Sequence, residues 1–151
     1  MIYMRKILLV EPVKSRQSKI SQELKASAKQ TEFYVDIADN HGYASTLESN
    51  FGPYDFYIIS DKFPKTSGEP LYTRVFMLAQ DIHDRGVDYE KMAVISDSPE
   101  TLEMARLLGI PNTYRKTQIP NPSPIERDIA YLADDITRIL TGGQTTSSTS
   151  K

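Results

Sequence analysis

The chain is expected to fold as an α/β domain: a three-layer, doubly wound sheet of five parallel strands with helices on both faces. Three observations lead there. Short apolar runs recur without alternating with polar residues, as strands covered on both faces require. Between the runs, apolar residues recur at helical spacing. This strand–helix alternation repeats along the chain, and a right-handed crossover then lays each helix over a parallel sheet.

The elements follow in order. Residues 6–10 are apolar and β-prone, with turn chemistry after them at Glu11-Pro12. Residues 15–28 carry Ile20 and Leu24 one turn apart and read as a weakly amphipathic helix. Residues 33–37 form the second strand, 39–42 a turn, and Tyr43, Ala44 and Leu47 a short helix. The breaker cluster at 50–53 precedes the third strand, 56–59. Leu71, Val75, Leu78 and Ile82 share helical spacing and predict a helix over about 70–84. After a polar connection at 86–91, Met92-Ala93-Val94-Ile95 is the fourth strand.

Ser98-Pro99-Glu100 supplies an N-cap, a first-turn proline and a first-turn acid for the next helix, which ends near Gly109. Residues 112–116 are the fifth strand. Ser123-Pro124-Ile125-Glu126 forms a capping box ahead of a stripe of Ile125, Ile129, Leu132, Ile136 and Leu140, with Gly142 as the stop. The domain is expected to span 1–140. Residues 141–151 are Gly, Gln, Ser, Thr and Lys, a composition that cannot bury enough apolar surface to order itself, and are expected to form a disordered tail or linker.

Bulk properties exclude several classes. With 151 residues the chain is one domain's worth. Its 18 basic and 20 acidic residues give a net charge of −2, so no field draws in nucleic acid or an anionic membrane. No apolar run reaches spanning or signal-peptide length, so the expected location is cytoplasmic, with no membrane or direct nucleic-acid contact. The absence of cysteine removes disulfides, thiolate nucleophiles and Cys-based zinc sites. His41 and His83 stand far apart, without ligand spacing, and read as surface residues. In a doubly wound sheet the site lies at the carboxyl ends of the strands, which places Glu11, Ser60, Asp61, Ser96, Asp97 and Lys116 there.

Residues 54–68, from Tyr54-Asp55 through Ser60-Asp61 to Pro64 and Gly68, resemble the third strand and following loop of two-component response-regulator receiver domains. That family has a flavodoxin-like (βα)5 fold. Its acceptor Asp stands at fixed spacings from the Tyr-Asp pair, the Pro and the Gly. Counting from Tyr54, Pro64 or Gly68 lands on Ser60, and Asp61 is one place late. A Ser hydroxyl lacks the carboxylate that attacks phosphorus and binds magnesium. A bulge in the third strand would bring Asp61 to the acceptor position instead.

By the same resemblance, Glu11 matches the first metal-binding acid, and Pro12 replaces the second. Ser96 matches the residue that hydrogen-bonds the phosphoryl group, and Lys116 the phosphate-binding lysine. Thr117 stands where the family has a proline. The switch aromatic falls at Thr113, with Tyr114 one place beyond. The resemblance therefore implies a degenerate member, a pseudo-receiver, with a phosphoryl pocket of Glu11, Ser60, Asp61, Ser96 and Lys116.

That implies no enzyme, no cofactor and no metal. The expected partner is a protein in a signalling pathway, or a second copy of the chain. Either meets the fourth and fifth strand–helix face, which carries Thr113, Tyr114 and Tyr131. The leading expectation is signalling by protein–protein contact without phosphorylation; the alternative is a receiver phosphorylated on Asp61. Residues 96–105 are also similar to the last acidic motif of haloacid-dehalogenase-type phosphatases. Those enzymes need Asp-x-Asp after the first strand, where this chain has Glu11-Pro12-Val13.

Overall fold

The computed structural model describes residues 3–27, 31–121 and 126–142. Strand β1 (Tyr3–Val10) leads into helix α1 (Lys14–Ser27), and β2 (Thr31–Ala38) into α2 (His41–Phe51). β3 (Phe56–Ser60) is followed by two short strands, β4 (Lys62–Phe63) and β5 (Tyr72–Thr73), and then α3 (Val75–Asp84). β6 (Met92–Ile95), α4 (Pro99–Leu108), β7 (Asn112–Arg115), β8 (Arg127–Asp128) and α5 (Leu132–Leu140) complete the order. The main sheet runs β2-β1-β3-β6-β7-β8, parallel throughout.

The non-alternating strands have the reason expected of them. Along β1, Leu8 and Val10 enter one core with Ala44, Leu78 and Leu102, from α2, α3 and α4. Ile7 and Leu9 enter the other with Ile20 and Leu24 of α1 and Leu132 and Ile136 of α5. Successive side chains leave a strand on opposite faces, so a sheet covered on both sides demands apolar residues at every position. Ser98 caps α4 by accepting from the Thr101 N–H, and Gly109 closes it at φ 121°, a left-handed conformation that suits glycine.

Five expectations need correction. The sheet has six strands, because β8 pairs alongside β7, Tyr114 with Arg127 and Arg115 with Asp128. The buried Asp128 carboxylate holds that segment in place by accepting from the Ile119 and Ala130 N–H groups. The last helix accordingly starts at Leu132, after a single 3-10 turn, Ile129–Tyr131, and Ile129 reaches the core from that turn. The capping residues Ser123 to Ile125 lie outside the described residues, as does the tail from 143.

The third helix starts at Val75, not Pro70. Leu71 is exposed, and Tyr72 and Thr73 pair antiparallel with Phe63 and Lys62. The helical spacing of Leu71 is therefore coincidental. The turn expected at 39–42 contains only an N-cap: Asn40 accepts from the Tyr43 N–H, and α2 begins at His41. Finally, the histidines are packed. His41 lies 3.6 Å from Asp81, and burial lowers its pKa, while His83 stacks on Tyr89. No described helix is long and apolar enough to cross a membrane.

A buried polar chain ties α2 to β3. The Tyr54 N–H donates to the Tyr57 hydroxyl, which donates to Glu48 at 2.6 Å. Gly52 sits against this chain: a Cβ there would lie 2.5 Å from the Glu48 carbonyl oxygen and 2.6 Å from its carboxylate. Gly52→Ala is expected to displace Glu48 and cost roughly 2–4 kcal/mol, read as a fall in the urea midpoint. A loss within about 0.5 kcal/mol, the usual range for surface changes, would mean that the chain is not under this constraint.

Candidate functional site

The strand register brings the carboxyl ends of four strands to one level. Val10 pairs with Ile59, Ser60 with Ile95, and Ile95 with Tyr114. The residues just beyond these ends therefore converge. They line a cleft of about 550 Å³ that includes Glu11, Asp61, Ser98 and Lys116, with Leu71 and Thr73 contributed by the β4–β5 hairpin.

Ser60 and Asp61 part company here. β3 pairs with β6 without a bulge from Tyr57 to Ser60, and the ladder runs on as the Asp61 N–H donates to the Ile95 carbonyl. Alternation puts Ser60 on the face of Phe56 and Ile58, where it is fully buried and its Oγ has no partner. Asp61 falls on the other face and reaches the cleft. Its Oδ1 accepts from Lys116 Nζ at 2.7 Å, and its Oδ2 from Ser96 Oγ at 2.6 Å. Ser96 Oγ in turn accepts from the Ser98 N–H at 3.0 Å. Asp61, Ser96 and Lys116 are thus one hydrogen-bonded unit, and Ser60 is outside it.

Burial pushes the Asp61 carboxyl up. The hydrogen bonds from Lys116 and Ser96, the Lys116 charge and the Lys62 N–H outweigh burial and hold it below its ordinary 3.8.

Glu11 is fully buried and faces α1. Its Oε2 accepts from the Val13 N–H at 2.9 Å and from Arg16 at 3.1 Å, and Oε1 has no partner. Arg16 was missed by sequence reasoning. Its signal was a cation in the first turn of the helix that follows Glu11. Asp97 accepts from both the N–H and the hydroxyl of Thr117, each at 3.1 Å, tying the loop after β7 to the loop after β6. A proline at 117 has neither donor.

The residues do not fit a magnesium ion. Magnesium demands near-octahedral oxygen ligands and usually one or two carboxylates. Pro12 offers no side-chain ligand, both Asp61 oxygens are engaged, and Arg16 holds Glu11. Of the Glu11 and Asp61 carboxylates one oxygen, Glu11 Oε1, is left, and Asp97, the other acid lining the cleft, is tied by Oδ1 to Thr117. Among the described residues no group of His, Cys, Asp and Glu is arranged to hold a metal.

The expected partner-face residues differ in exposure. Thr113 and Tyr114 are buried, and Tyr131 is 39% exposed. Thr113 accepts from Arg106, and the Tyr114 hydroxyl donates to Asp135 at 2.8 Å. Tyr131 lies under the Arg127 guanidinium, 4.3 Å from the ring centroid.

Solved structures share this architecture. The manganese-bound form of response regulator Rcp1 matches over 97% of each chain at 15% identity, with a TM-score of 0.59. The phosphorylated cyanobacterial phytochrome response regulator RcpA also matches over 97% of each chain, at 17% identity and a TM-score of 0.57. This is the receiver fold. The chemotaxis response regulator CheY4 of Vibrio cholerae matches at 16% identity, over 92% of this chain and 98% of its own, with a TM-score of 0.52. Likeness at such identity is likeness of fold. No family profile matches the chain, and no curated protein matches it.

A depressed carboxyl stabilises the folded state when ionised, so its contribution is whole above 3.8 and is lost as pH falls below that value. Asp61→Asn abolishes this titration. The lead of the wild type over Asp61→Asn in urea midpoint is expected to shrink as pH falls below 3.8; a lead independent of pH would contradict the ionised pair.

Proposed function

We propose that this receiver-fold domain is a cytoplasmic signalling module that works by protein–protein contact, without phosphorylation and without catalysis. The observation that carries this reading is the engagement of Asp61, whose two carboxylate oxygens are held by Lys116 and Ser96. Attack on phosphorus requires a carboxylate oxygen released from those donors and a cation to neutralise the phosphoryl charge. Glu11, bound by Arg16 and followed by Pro12, is a poor ligand set for that cation. The Lys116 ammonium, 2.7 Å from Asp61, keeps the pocket neutralised from within.

A second reading, phosphorylation of Asp61, is favoured by one observation. Asp61 lies between Ser96 and Lys116, the two residues that the resemblance links to the phosphoryl group.

Beryllofluoride with magnesium mimics an aspartyl phosphate and needs both the acceptor and the metal. In a titration followed by backbone amide NMR, the amides of Asp61, Ser96 and Lys116 are expected to stay unmoved at millimolar magnesium. Concerted, saturating shifts there would make Asp61 an acceptor and overturn the contact reading.

A further inference from the structure

A second cleft, of about 510 Å³, opens between α4, β7 and α5, and three of its lining side chains are arginines: Arg106, Arg127 and Arg138. One acid lines it with them, Asp135, which is 4% exposed. Arg127 grips Asp135 with two parallel hydrogen bonds, from Nε at 2.9 Å and from Nη2 at 3.0 Å. Arg138 adds a third at 3.1 Å, and the Tyr114 hydroxyl a fourth. The one carboxylate is saturated, yet it balances a single positive charge.

Arg106 gives one hydrogen bond to the neutral Thr113 hydroxyl. Its charged neighbour is Glu103, at 3.8 Å and 66% exposed, a solvated pair of little weight. Each guanidinium has five N–H donors. All three therefore keep donors and charge beyond what Asp135 and Thr113 absorb.

We propose that this cleft binds an acidic segment of a protein partner through its Asp and Glu carboxylates. The inference rests on the contact reading above and gives the partner a chemistry. Three features favour carboxylates. Arg127 and Asp135 already display the planar two-bond geometry that guanidinium and carboxylate share. Arg127 is fixed by that grip and by stacking on Tyr131, so little side-chain freedom remains to be lost on binding. The local excess of positive charge stands on a chain of net charge −2, so an acidic segment is drawn to this cleft. Arg127 reaches the cleft from β8, a strand that the sequence pattern does not announce.

The test is a titration with an oligoglutamate peptide, read by amide NMR and by fluorescence anisotropy of the labelled peptide at low and physiological ionic strength. Saturating shifts are expected at Arg106, Thr113, Arg127 and Arg138, with affinity falling as salt rises. Arg106→Gln and Arg138→Gln are each expected to weaken binding roughly tenfold, the weight of one charge-assisted hydrogen bond. Their thermal midpoints stay close to wild type, and Lys19→Gln, the same charge change on exposed α1, leaves binding unchanged.

Shifts spread over the surface, equal weakening by Lys19→Gln, or no binding would overturn the proposal. So would saturation of the same amides by inorganic phosphate with none by the peptide, or a mass that rises with concentration and occludes these amides. No magnesium or phosphoryl mimic enters this experiment. Its failure removes the acidic partner and leaves the contact reading standing, whereas a positive beryllofluoride result removes the contact reading itself.

Discussion

The ion pair between Asp61 and Lys116 joins the ends of β3 and β7, two strands that share no ladder, and the cleft takes its form from it. Asp61 follows β3 and Lys116 follows β7; Ser96, between them after β6, donates the second bond. The side chains are 10% and 14% exposed, so neither charge can be left alone without a large desolvation cost. A buried pair of this kind adds little net stability over an apolar filling. The loop after β7 is held again by Asp97, which takes both donors of Thr117.

The same economy governs the opposite wall. Glu11 is buried without a second acid beside it, and its charge is answered by Arg16 from α1. A guanidinium anchored to the protein does there what a bound cation does elsewhere, with no dependence on ion concentration. Both charged walls of the pocket are therefore neutralised internally, one by Lys116 and one by Arg16. A receiver fold needs no phosphoryl chemistry to hold this shape; the two apolar layers set the frame and the two ion pairs finish its open end.

Much of the fold was legible because the strong signals were long. Runs such as Ile7 to Val10 and Phe56 to Ile59 are apolar at every position, which both faces of a covered sheet require. The cap at Ser98 was legible because the hydroxyl, the proline and the acid each satisfy a separate demand of a helix start. Two-residue strands carry no periodicity, so β4, β5 and β8 left no trace, and Leu71 joined a helical pattern by accident of spacing. β8 depends on the carboxylate of Asp128 meeting the Ile119 N–H, a contact that exists only after folding. At the site, spacing singled out Ser60, whereas alternation along β3 turns Ser60 into the core and Asp61 into the cleft. Arg16 was overlooked because the resemblance matched its partner Glu11 to a metal-binding acid.

On the reading proposed above, Lys116 and Arg16 close this pocket in place of a divalent metal. Titration with manganese followed by amide NMR separates this from a working metal site, because the unpaired electrons broaden any amide near a bound ion. The amides of Glu11, Val13 and Lys62 are expected to keep their linewidths at substoichiometric manganese. Selective loss of those signals, reversed by excess magnesium, would show a working metal site and contradict it.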